Sequence, residues 1–70
     1  MPKATIRNDL RQLRFALGEM TQQELADRAG CTRQTIMMLE QERYVPSLVL
    51  AIRIARVFGK PVDAVFTLED

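Results

Sequence analysis

Residues 30–40 read Gly30-Cys31-Thr32-Arg33-Gln34-Thr35-Ile36-Met37-Met38-Leu39-Glu40, and the fold turns on this stretch. Gly30 suits the left-handed position that ends a helix, and Thr32 suits the N-cap of the next one. Ile36 and Leu39 recur at helical spacing, which predicts a helix over about 33–41. Upstream, Thr21-Gln22-Gln23-Glu24 is a capping box, in which the threonine hydroxyl and the glutamate satisfy each other's backbone amides. Leu25, Ala26 and Ala29 supply the buried face of a helix over about 22–29. Two short helices with a glycine at a brief break form a helix-turn-helix, here at about 21–41. So short a link forces a steep crossing.

Outward from this pair the pattern stays helical. Leu10, Leu13 and Leu17 predict a first helix over about 7–17, with Asn8 or Thr5 as its cap and Gly18 as its stop. Arg7, Arg11 and Arg14 lie largely off that stripe. Pro46 disfavours helix at Val45, so 42–46 is a loop. Ser47 then caps a helix to about Phe58. It carries two apolar stripes, Leu48, Ala51, Ala55 and Phe58, and Leu50, Ile54 and Val57, as a central helix does. Val49, Arg53, Arg56 and Lys60 share its solvated face. After Gly59, Pro61 opens a last turn with Asp63 near its positive end. Residues 65–69 alternate as a strand would, and the short extended segment 3–6 offers Thr5 and Ile6 as its partner.

Composition narrows the function. Seventy residues, 47% apolar and 27% charged, predict one globular domain over 1–70, near the size where a single core is barely sufficient. No apolar run could span a bilayer and no signal segment opens the chain, so a cytoplasmic protein without membrane association is expected. There is no histidine and only one cysteine, which removes the commonest general base, a disulfide and a thiolate metal site. Cys31 is expected to fill space in a tight turn. No glycine-rich phosphate loop is present. An enzyme is not expected, nor a metal or cofactor.

Binding is the remaining class. The net charge is only +1, although Arg43, Arg53, Arg56 and Lys60 form a basic stretch without an acidic residue. In a helix-turn-helix the second helix enters the major groove with its first residues against base edges. Those residues are Arg33, able to fork onto guanine, and Gln34, able to fork onto adenine. Gln22 begins the preceding helix, where an amide and backbone N–H groups hold phosphate. The plainer alternative is that Arg33 and Gln34 are only a solvated first turn. Met37 and Met38 weigh against it, because with Ile36 and Leu39 inward at least one methionine must project outward, to a thymine methyl or a protein.

Four blocks in order carry a resemblance from Leu10 to Phe66. They are Thr21-Gln22-x-Glu24-Leu25-Ala26 with Gly30; Thr32-Arg33-Gln34-Thr35-Ile36 with Leu39-Glu40; Tyr44-x-Pro46-Ser47-Leu48-x-Leu50-Ala51; and Ile54-Ala55 with Phe58-Gly59. Together they resemble the Cro/C1-type (XRE-like) helix-turn-helix regulators, most closely the small stand-alone members. The resemblance implies an all-α fold, a five-helix lambda-repressor-like bundle that binds double-stranded operator DNA as a homodimer, usually as a repressor. In small members the two chain ends pair as a short antiparallel sheet. It places Arg33, Gln34, Thr35 and Met38 at base-reading positions. Gln22, Thr32, Gln41, Arg43 and Tyr44 fall where the family touches the DNA backbone. Arg14 takes the place of the ion-pair partner of Glu40. Three departures stand out. Met37-Met38 replaces small or polar residues, the link from Arg14 to Thr21 is one residue longer than usual, and Val45 replaces a polar loop residue.

A near-neutral chain with a short reading face neutralises few phosphates, so two copies on half-sites about one turn apart are expected. The apolar C-terminal residues Val62, Val65, Phe66 and Leu68 are the expected two-fold contact. An antitoxin-type protein, which would also bind a toxin, is the competing reading, and a protein co-regulator docking on the methionines is a further possible partner.

Overall fold

The computed structural model describes residues 5–69, in the order β1 (Thr5–Asn8), α1 (Leu10–Ala16), α2 (Gln22–Ala29), α3 (Arg33–Glu40), α4 (Leu48–Val57), α5 (Val62–Val65) and β2 (Phe66–Glu69). The expected five-helix bundle forms, and the two strands join its ends. Lys3 and Ala4, the outer part of the expected extended segment, lie outside the described residues. Leu10, Leu25, Ile36, Leu39, Ile54 and Val65 are the largest fully buried side chains. Every helix contributes at least one of them, and each is worth about 1.5–3 kcal/mol of transfer free energy.

Local chemistry sets where three of the helices begin. Thr21, Thr32 and Ser47 each accept a hydrogen bond from the backbone N–H three residues on, at 3.0, 3.2 and 3.1 Å. Such a cap satisfies an amide that has no partner inside the helix. Gly30 ends α2 at φ +76°, with its N–H donating to Ala26 O at 2.9 Å. That left-handed conformation favours glycine.

The first helix is shorter than its apolar spacing predicts. Arg7 and Asn8 belong to β1, which runs antiparallel to β2 with Ile6 opposite Leu68 and Asn8 opposite Phe66. The N-cap is Asp9 rather than the expected Asn8 or Thr5, and its side chain makes no cap bond; Asn8, one residue earlier, accepts from Leu10 N–H through Oδ1 at 3.2 Å. Strand pairing thus takes the backbone groups that another helical turn would have used. At the far end α1 stops at Ala16, Gly18 and Glu19 take positive φ, and Leu17 turns outward, 46% exposed. Met20 takes a core place instead, 3% exposed.

Burial bears on two further groups of residues. Val65 and Phe66, expected at a two-fold contact, close the protein's own core, at 0% and 8% exposed. Val62 is half-buried against the same cluster, and Leu68 remains exposed. The reason is size. A chain this short must use its last apolar residues to cover α4 and β1. Leu48, expected on an inward stripe, is 72% exposed, because the buried positions of α4 start at Ala51. The Leu50, Ile54 and Val57 stripe does face inward, with Ile54 fully buried.

Candidate nucleic-acid interface

The exposed end of α3 is held from three sides. Thr32 Oγ1 accepts from Thr35 N–H and lies 3.0 Å from Thr35 Oγ1, so both hydroxyls serve the helix start. Ile36 and Leu39 anchor the inner face at 0% exposure. At the C-terminus Arg43 N–H donates to Met38 O and Glu42 N–H to Leu39 O, both at 3.0 Å, with Glu42 at φ +59°. This is a Schellman closure with glutamate where glycine is usual. Asn8 Nδ2 donates to Leu39 O at 2.7 Å, tying the sheet to the same terminus.

Arg14 and Glu40 link α1 to α3 inside the protein. Arg14 Nε and Nη2 donate to the two Glu40 carboxylate oxygens at 2.6 and 2.9 Å, and Arg14 Nη1 donates to Met20 O at 2.8 Å. The side chains are 7% and 10% exposed. A two-pronged pair out of water is strong and directional, and it tolerates no loss of one partner. Gln22 Nε2 donates to Glu40 Oε1 at 3.2 Å, so the first residue of α2 is aligned by the same carboxylate. The longer link before Thr21 leaves the Arg14–Glu40 pairing intact. Between Arg14 and Thr21 the chain turns at Gly18 and Glu19, both at positive φ.

Around this anchor the expected contact residues sort by exposure. Arg33 and Gln34 are exposed on the first turn of α3, while Thr35 is half-buried. Thr32, Gln41, Arg43 and Tyr44 are exposed, and Gln22 is half-buried. Of the two methionines Met37 is the more open, at 36%, and Met38 is half-buried. Met37 shares a depression of about 630 Å³ with Gln22 and Gln41. Arg33 lines a neighbouring depression with Gln22, Gln23 and Arg11. The structure therefore brings Gln22, Arg33, Met37 and Gln41 onto one surface. Arg43 and Tyr44 lie beyond it in the following loop.

Arg11 was not singled out by the sequence, and of the two methionines it offered as outward-facing, Met37 is the one beside Gln22 and Gln41. Arg11 stands over the Phe15 ring, 5.5 Å from its centroid, beside the Arg33 depression. Its only signal was a position off the apolar stripe of α1. Among the described residues, Arg7 pairs with Glu42 and Glu69, but Arg11, Arg33 and Arg43 join no ion pair. Their charge is available to a polyanion. Cys31 is half-buried against the core, and burial raises its thiol pKa above the usual value.

Known proteins are similar in sequence to this chain along most of its length. The helix-turn-helix family matches residues 10–65. An HTH-type transcriptional regulator of Methanothermobacter thermautotrophicus is 50% identical over 66 residues, which span 93% of this chain and 94% of that protein. One of Methanocaldococcus jannaschii is 43% identical over 65 residues, 93% of this chain and 97% of its own. A Bacillus subtilis protein of the same description is 38% identical over 65 residues, with the same two shares.

Proposed function

The chain belongs to the Cro/C1-type helix-turn-helix family of transcriptional regulators, and on that premise we propose that it represses transcription by binding an inverted-repeat operator as a homodimer. In this reading α3 lies in the major groove. Arg33 and Gln34 read base edges through two-pronged hydrogen bonds, and Met37 or Met38 meets a thymine methyl. Thr35 lets the helix approach closely. Gln22, Thr32, Gln41, Arg43 and Tyr44 hold the phosphates on either side, which sets register without reading sequence.

One observation carries the reading. Arg33 and Gln34 are exposed and, among the described residues, their side chains have no hydrogen-bond or ion-pair partner, while Gln22 beside them is held by Glu40 of the buried Arg14–Glu40 pair. A merely solvated helix start would have no need of such an anchor. Affinity rests on few cations at a net charge of +1, so one copy alone binds weakly, and a second copy adds phosphate contacts and steepens the salt dependence.

The test is selection of bound duplexes from a random library at near-physiological salt. An enriched inverted repeat with half-sites about one helical turn apart is the expected result. Enrichment of a single half-site would overturn the dimeric part of the proposal. Folded protein that enriches nothing would overturn the whole.

A further inference from the structure

Among the described residues nine large apolar side chains are exposed; Phe15, Leu17, Met37 and Leu68 stand apart, and the other five fall together. Tyr44, Val45, Leu48, Val49 and Ile52 are 42%, 66%, 72%, 60% and 36% exposed, and all belong to the segment from the end of the α3 loop to the middle of α4. Leu48, Val49 and Ile52 stand at i, i+1 and i+4, which makes one continuous helix face. No charged residue occurs from Tyr44 to Ile52, in a chain that is 27% charged. We propose that this face is the two-fold contact between two copies of the chain, with Leu48, Val49 and Ile52 of α4 packing on the same residues of the partner and Val45 closing the edge.

Three physical arguments select a second copy as the occupant. Across a two-fold axis each residue meets its own kind or a near neighbour, so a charge near the axis would face a like charge. An uncharged apolar face has no such conflict, and the flanking Arg43 and Arg53 stay at the rim. The area is also of the right order. With full areas of about 150–250 Å² for large side chains, the five together expose roughly 500 Å². That is a major share of the ~800 Å² that each partner of a stable complex covers. The face, finally, begins in the loop that closes α3. Copies joined there carry their reading helices as neighbours, which an inverted repeat requires.

The inference rests on the reading of the chain as a dimer, and it moves the contact from the C-terminal residues to α4. The C-terminal alternative has lost most of its surface, since Val65 and Phe66 are buried and only Leu68 stands well exposed.

Sedimentation equilibrium of the protein alone, without DNA, tests it. The wild type should be dimeric at tens of micromolar. Leu48→Glu and Val49→Glu should each raise the dissociation constant about 30-fold or more, as expected for central contact residues. Both positions face solvent, so circular-dichroism melts recorded at monomeric concentration should match wild type. Leu68→Glu should leave the mass unchanged. A wild type that stays monomeric, or variants that dimerise as well as wild type, would overturn the proposal, and dissociation by Leu68→Glu alone would return the contact to the C-terminus. If the α4 variants dissociate the dimer but the random library yields no motif, the surface stands and the DNA reading falls.

Discussion

The α2–α3 pair and the first turn of α4 both face solvent, but by opposite means. The first turn of α3 is polar, and the helix that carries it is held by buried groups beneath: Glu40 receives Arg14 from below and Gln22 from the side. The α4 surface is apolar and has nothing over it, with Leu48 and Val49 more than half exposed above a buried Ala51. Recognising a base edge requires donors at set positions, so order has to be built in before the ligand arrives. An apolar contact asks only for area and shape, and becomes ordered when the partner covers it. The two surfaces should therefore respond differently to substitution.

The largest difference should come from Glu40→Gln. It leaves Arg14 buried without its countercharge, and urea titration should show a loss of about 3–5 kcal/mol. Replacing both partners by apolar residues, Arg14→Met with Glu40→Leu, should restore much of that stability. It should not restore tight DNA binding, because Gln22 then lacks its anchor. If the double variant bound DNA as wild type does, the positioning role given to the pair would be wrong.

Next in size are changes on the reading face itself. Arg33→Ala should cost about 1–3 kcal/mol of binding to the selected duplex, confined to one base position, with unfolding unchanged. Gln22→Ala should instead weaken binding to all duplexes nearly equally. A competition series with single-base variants of the duplex separates these patterns. Thr32→Ala removes the α3 cap and should lower stability by about 1 kcal/mol, read from thermal melts.

The smallest effect belongs to α4. In dilute, monomeric protein Leu48→Ala should change stability by no more than about 0.5 kcal/mol, since the side chain is exposed. A larger loss at monomeric concentration would mean that Leu48 packs within its own chain. The contrast between the two surfaces would then collapse.

Much of the site could be read without coordinates. The Thr21–Glu24 capping box, the Gly30 stop and the Thr32 cap act within four residues, so residue type and spacing carry them directly. The same local logic put Arg33 and Gln34 on the first turn of α3. Harder to read were positions whose environment depends on distant chain. Leu17 lies on the same repeat as Leu10 and Leu13, yet the Gly18–Glu19 turn throws it outward and gives its place to Met20. Arg7 and Asn8 look like a helix start until β2 returns to pair with them. Met37 and Met38 are chemically alike and adjacent, and only the packing beneath α3 leaves one more open than the other.

By itself, then, the amino-acid sequence determined the number and order of the helices, the caps of α2, α3 and α4 and the polar start of α3, because those depend on hydrogen bonds between near neighbours. Tertiary structure decided which apolar residues became surface. Val65 and Phe66 were drawn into the core, while Leu48 and Val49 were left uncovered. The physical reason is that the hydrophobic effect has no direction. An apolar side chain specifies burial without specifying against what, and in so small a chain there is not enough neighbouring structure to cover them all.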